Sequence, residues 1–317
     1  MTEPVSPHRP RPVLRAVGAI VLFYLLGFVL SLLLLWPFAS RLTHGLTSDE
    51  LAAHPPAVFA LGQGLVLLVA FGIATWIIGL RALRLDATAL RWRSRLGWLR
   101  GLGVGLAIGI LPAVLAMILG VFAAGAGWSY DGGTLAAWLS QAGKTVLILS
   151  PAALAEELMF RGMPMVVAAR AIGRGRAIVL LSVLFALAHL TNPNVTSAGV
   201  GNIALAGIFL ALAFFSAGGM WTAFGAHLGW NVTLAALAAP VSGLPFDIPY
   251  IDYRMGTAEM VRVAELIDRA LTQPDEATLS RVKAEVEELA SAFPLYSPAA
   301  SAGRMRRTAR VEEPLPA

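Results

Sequence analysis

The sequence predicts an all-α protein: a polytopic transmembrane helix bundle of seven spans, or eight if segment 135–143 adds a re-entrant or short segment, followed by a small C-terminal helical hairpin. Three observations carry this reading. Of 317 residues, 57% are hydrophobic and 14% charged, and the mean hydropathy is +0.71, well beyond an ordinary soluble domain. Long uncharged runs recur between breaks rich in arginine, proline or glycine. The arginines also gather in alternate loops.

A hydrocarbon layer about 30 Å thick takes roughly 20 helical residues. Segments 16–38 and 57–80 contain no charge, and 101–124 repeats the pattern around Pro112. Segments 145–167, 177–195, 199–215 and 220–239 read as four further spans. Arg9, Arg11 and Arg15 precede the first span, six arginines lie from Arg81 to Arg100, and Arg170, Arg174 and Arg176 separate spans four and five. The alternate loops 39–56, 125–133 and 190–198 together hold only Arg41. That asymmetry predicts a cytoplasmic N-terminus in a plasma or inner membrane. It also accounts for most of the pI near 10.1 without a nucleic-acid partner. The first run is too long for a signal-peptide core and lacks a small-x-small cleavage site, so it reads as a retained anchor. The chain has no cysteine, which excludes disulfides, thiolate metal sites and cysteine nucleophiles.

After Pro240 the composition changes. Segments 258–271 and 275–290 carry helical periodicity among many charges, with Thr257 as N-cap and a break at Pro274. The last two dozen residues have the composition of a disordered tail. An odd number of spans places this tail outside, whereas Arg304, Arg306, Arg307 and Arg310 favour the inside. The expected divisions are 1–133 for three N-terminal spans, 134–240 for a polar-centred helix bundle, and 241–317 for amphipathic helices and tail.

Of 19 acidic residues only Glu156 and Glu157 fall within the spans, and of five histidines only His189 and His227 do. A charge at bilayer depth costs at least about 2.5–3.5 kcal/mol, so such groups are usually paired, facing a cavity and functional. If the fourth helix runs on to Arg170 and the fifth begins at Arg176, Glu156 lies 14 residues before the turn and His189 lies 13 after it. Both are then about 20 Å from the cytoplasmic end, at matching depth. Pro164 is the weak point of this arithmetic, because it should kink the helix just past Arg161. Within AEELMFRG, Glu157 and Arg161 stand at i and i+4 with the acid N-terminal, the favourable order for an ion pair. Glu156 lies about 100° away and is free to point elsewhere. The expected division is Glu157 with Arg161 as structural support and Glu156 as the carboxylate that takes a proton from water. In HLGWN, His227 and Asn231 share a face and suit a substrate carbonyl and its developing oxyanion. Taken singly, an intramembrane histidine or asparagine is more often a bond between helices than a catalyst, and Phe185 alone reads as packing. The glycine run at 101–109 is expected to be a small-residue helix seam rather than a nucleotide loop, since no strand precedes it.

Together, EExxxR at Glu156, Glu157 and Arg161, FxxxH at Phe185 and His189, and HxxxN at His227 and Asn231 resemble the three motifs of the CPBP intramembrane proteases. That family includes type II CAAX prenyl endopeptidases and bacteriocin-processing or immunity proteins. The resemblance covers roughly residues 134–240. It implies an intramembrane endopeptidase acting on a membrane-associated protein or peptide, with Glu156 and His189 activating the attacking water and His227 and Asn231 binding the oxyanion. It also implies Glu157 and Arg161 as supports. Glu156, His189 and His227 form a zinc set with water in the fourth position. Some members are described as metalloproteases, yet the prenyl-endopeptidase branch works through glutamate without an obligatory metal, and the metal-free mechanism is favoured here. Two other readings stand beside it. One is a catalytically silent binding or immunity protein using the same polar cavity. The other is a proton-coupled transporter, which fits less well because no repeated halves are visible.

Overall fold

Apolar side chains with few interruptions leave the backbone to satisfy its own hydrogen bonds, and helix is the structure that does so within one segment. The computed structural model describes residues 12–42, 57–124, 126–192, 195–244, 249–254, 266–267, 269–272 and 274–292, and these are mostly helical. The helices are α1 (Pro12–Leu42), α2 (Ala57–Ala74), α3 (Gly97–Ala124), α4 (Leu135–Phe160), α5 (Met163–Ile172), α6 (Arg174–Ala188), α7 (Ser197–Phe215), α8 (Gly219–Ala236) and α9 (Glu276–Ala292). Helix α2 continues as a π-helical stretch over Thr75–Ala82. Short strands β1 (Gly127–Tyr130) and β2 (Ile251–Arg254) pair with each other.

Contacts divide the chain into two units. One comprises Met1–Ile118 with Trp128–Tyr253, the other Leu119–Gly127 with Arg254–Ala317. Among the described residues, four helices are long and apolar enough to cross a membrane: Val13–Pro37, Ala57–Ala82, Gly97–Phe122 and Ser197–Phe215. They match spans one, two, three and six of the sequence reading. The remaining expected spans take a different form. Segment 135–143 is not a separate element but the opening of α4, whose N-cap Thr134 accepts a hydrogen bond from Ala137 N at 3.2 Å. The fourth span is not one helix to Arg170. It stops at Phe160, turns through Arg161 and Gly162, and restarts as α5 with Pro164 at its N-terminus, the one helical location where a missing N–H costs nothing. The fifth helix begins at Arg174 and ends at Ala188, with His189 as its C-cap rather than a residue inside it. Gly173 makes the α5–α6 turn at φ 87°, which a side chain disfavours.

The larger unit is held by two kinds of contact. Aromatic rings of α1, α2 and α4 interlock: Phe23, Tyr24 and Phe28 meet Phe71, and Tyr24 meets Phe160 with centroids 6.3 Å apart. Tyr24 also donates its hydroxyl to Met159 O at 2.8 Å. Between α3 and α8 the contact is backbone on backbone. A Cβ added to Gly105 would come within 2.5 Å of Thr222 O, and one added to Gly225 within 2.5 Å of Leu102 O. Gly109 and Gly229 are packed in the same way. The glycine run is thus the small-residue seam the sequence predicts, and it presses α8 close against α3. Gly225 and Gly229 lie two residues either side of His227, so the seam and the imidazole occupy opposite faces of α8. At the far end of α8, Trp138 and Trp128 donate indole N–H groups to Ala236 O at 2.8 Å and Leu237 O at 3.0 Å, satisfying carbonyls the helix leaves open.

The arginine-rich loops meet at one end of this unit. Arg91 Nε donates to Phe214 O at 2.7 Å, closing the end of α7, and the guanidinium of Arg174 lies 4.0 Å from the ring centroid of Phe215. Burial, with Arg174 and Arg95 adding to it, holds Arg91 below the usual arginine pKa.

In the smaller unit, Leu266, Ile267 and residues 269–272 are helical, Pro274 and Asp275 interrupt, and α9 follows, as the proline suggests. Asp275 caps α9 by accepting from Thr278 N at 2.9 Å. The Thr257 cap and the C-terminal tail lie outside the described residues.

Candidate active site

Four helices bring the polar residues of the larger unit together. Glu156, Glu157 and Arg161 come from the last turn of α4, His189 from the end of α6, and His227 and Asn231 from successive turns of α8. The fourth helix, α7, contributes Gly207, whose carbonyl accepts from Arg161 Nη2 at 3.3 Å.

Adjacent glutamates point about 100° apart on a helix, and here their environments separate accordingly. Glu157 is wholly buried, whereas 30% of the Glu156 side chain is exposed. Arg161 Nη1 donates to Glu157 Oε1 at 3.0 Å, the i to i+4 pair expected from the sequence. The guanidinium also lies 4.3 Å from the centroid of Phe185. That ring further contacts Phe160, His189 and His227 with centroids 5.1, 4.5 and 6.1 Å away. Phe185 is therefore packing, but packing that seats the arginine and both histidines at once.

The sequence reading missed one bond. His227 Nδ1 lies 2.8 Å from Glu157 Oε1, so the support carboxylate holds a histidine as well as the arginine. Nothing in the spacing of residues 157 and 227 announces it. The only sign available was that a buried carboxylate accepts several hydrogen bonds and one arginine does not fill them.

Tautomers follow from these partners. His189 Nδ1 is 2.7 Å from Phe185 O, and a carbonyl only accepts, so Nδ1 carries the proton. The same holds for His227 Nδ1 against an ionised Glu157. Both rings then turn Nε2 toward Glu156 Oε2, at 3.8 Å for His189 and 3.7 Å for His227. Glu156 Oε2 is buried and has no hydrogen-bond partner among the described residues. Three acceptor atoms facing one another just beyond bonding distance make a place for a donor, such as a water molecule.

Beside this constellation is a cavity of about 600 Å³, lined by His189, His227, Asn231, Trp230, Asn202 and Phe185, with apolar side chains such as Ile203, Leu205 and Phe209 completing the wall. Asn231 thus faces the same space as His227, as their spacing predicts. The residues of the zinc alternative, Glu156, His189 and His227, do converge, but among the described residues no group of three or more His, Asp or Glu side chains is drawn together as a metal site.

An apolar helix bundle that gathers two glutamates, an arginine and two histidines in this order along the chain is similar to the CPBP class of intramembrane proteases, and residues 138–233 match a family model of that kind. The family model matching those residues is described as type II CAAX prenyl endopeptidase Rce1-like. The matched stretch runs from the first turn of α4 to the last turn of α8 and contains every polar residue of the candidate site. No solved structure matches the chain.

Proposed function

We propose that the protein is an intramembrane endopeptidase in which Glu156 activates the attacking water without a metal, and that residues 134–240 form its catalytic bundle. The observation that carries this is Glu156 Oε2 facing Nε2 of both His189 and His227 with no donor between them. A water there donates one proton to Glu156 and is oriented by His189 Nε2. Its oxygen attacks the scissile carbonyl carbon, and the developing oxyanion meets the Asn231 amide and His227. For this step His227 takes up a solvent proton at Nε2 while its Nδ1–H stays bound to Glu157, so the nitrogen that accepts in the resting site becomes a charged donor. Collapse of the tetrahedral intermediate breaks the C–N bond, and the proton held by Glu156 passes to the departing amine. Glu157 and Arg161 act by holding His227 and the end of α4.

The arrangement also accords with a seven-span insertion, in which α4 with α5, α6 and α8 sit in the bilayer although their polar residues and breaks make them less apolar than the other four. The meeting of Arg91 and Arg174 on neighbouring rings favours a common cytoplasmic face for both basic loops, and hence a cytoplasmic N-terminus.

The test uses the purified chain in proteoliposomes with two quenched-fluorescent peptides, one farnesylated near its C-terminus and one an unmodified apolar peptide. Glu156→Gln, His189→Ala and His227→Ala should each lower cleavage at least about 100-fold while the protein still purifies as a folded species. Wild-type rates from Glu156→Gln defeat the mechanism. A chelator that abolishes wild-type cleavage, reversed by added zinc, replaces it with the metal alternative. A chain that binds but never cleaves either peptide favours the silent binding protein.

A further inference from the structure

Helix α7 is apolar almost throughout: of its 19 residues, only Ser197 in the first turn and Asn202 carry hydrogen-bonding side chains. A carboxamide at that depth normally finds a partner on a neighbouring helix, because a lone one in hydrocarbon is costly. Asn202 does not. Its side chain makes no hydrogen bond with any described residue, is exposed, and lines the same cavity as His189, His227 and Asn231. Its neighbours in that wall, Ile203, Leu205 and Ala206, offer it nothing polar.

An extended peptide entering this cavity brings the same difficulty in reverse. Its backbone N–H and C=O groups leave water, and the apolar wall cannot replace those hydrogen bonds. A carboxamide matches a peptide group, since it offers N–H donors and a carbonyl acceptor from one side chain. From these observations we infer that Asn202 is a substrate-binding residue, pairing with a backbone peptide group of an extended, apolar polypeptide while Asn231 serves the reacting carbonyl. The inference rests on the protease reading for the identity of the ligand, but concerns binding rather than bond cleavage. Asn202 therefore contributes to KM, and the Glu156 group to kcat.

The same unmodified apolar peptide tests it, alongside a series in which one backbone amide at a time is replaced by an ester that lacks the N–H. Asn202→Leu, close to isosteric, should raise KM about five- to tenfold with kcat within twofold, the effect of one hydrogen bond lost. One ester position should weaken wild type by a similar factor and Asn202→Leu no further, because the bond is already missing. Peptide binding by fluorescence anisotropy in the Glu156→Gln background should weaken by the same factor. An unaltered melting temperature for Asn202→Leu keeps folding out of the result. Unchanged KM and unchanged binding overturn the assignment even where Glu156→Gln abolishes cleavage. Weakened binding in a chain that never cleaves the peptide sustains the assignment and counts against the protease reading alone.

Discussion

Each compact unit contains a carboxylate–guanidinium pair, and the two differ in burial far more than in geometry. In the larger unit Glu157 and Arg161 meet at 3.0 Å with side chains 0% and 1% exposed. In the smaller unit Arg269 and Glu285 meet at 2.7 Å with side chains 42% and 31% exposed. The shorter contact is the less consequential one. In water, attraction is weak and screened, and ordering two long side chains offsets most of it. In the interior neither ion has water to fall back on, so each depends wholly on the other and on further partners: the Gly207 carbonyl and Phe185 ring for Arg161, and His227 for Glu157. Burial makes the inner pair rigid, and rigidity is what a histidine aimed at Glu156 requires.

The largest expected effect lies there. Arg161→Met should destabilise the protein by about 3–5 kcal/mol, because Glu157 is left charged and buried; thermal unfolding in detergent measures it. Glu157→Gln with Arg161→Met should recover much of that stability but not cleavage, since His227 loses its charged acceptor. A double variant no better folded than the single one breaks the comparison. By contrast, Arg269→Ala should change stability by no more than about 1 kcal/mol, and less in high salt. A larger loss would mean that exposure does not decide the matter here.

The smallest effect concerns Asp275 at the cap of α9. The hydrogen bonds from the Thr278 side chain, and then its backbone N–H, hold this carboxyl below the ordinary aspartate value of 3.8. A depressed folded pKa contributes stability that is present above the unfolded value and lost as pH falls through the folded one. Asp275→Ala should therefore melt slightly earlier than wild type at neutral pH, and the two melting curves should converge below the ordinary aspartate range. A gap that persists in acid would assign the cap to something other than charge.

Much of the site was legible because its motifs are local. Spacings of four put Glu157 with Arg161, Phe185 with His189, and His227 with Asn231 on shared helix faces, and periodicity alone places such pairs together. The Glu156–His189 approach was legible for a reason that held only in part. It assumed two straight arms of equal length, whereas α4 breaks after Phe160 and His189 caps α6. The approach survives because the break falls beyond Glu156, so Pro164 redirects the chain after the carboxylate is already placed.

The sequence by itself determined the class of molecule and the residues of its candidate site: an apolar helical chain whose few interior charges stand at helical spacing, since composition and periodicity act within single segments. Only the tertiary structure decided that Glu157 grips His227 as well as Arg161, that both Nε2 atoms converge on Glu156, and that Asn202 faces the same cavity. These depend on how each helix is rotated about its own axis, which the glycine seam between α3 and α8 and the rings around Phe185 impose through contacts between helices.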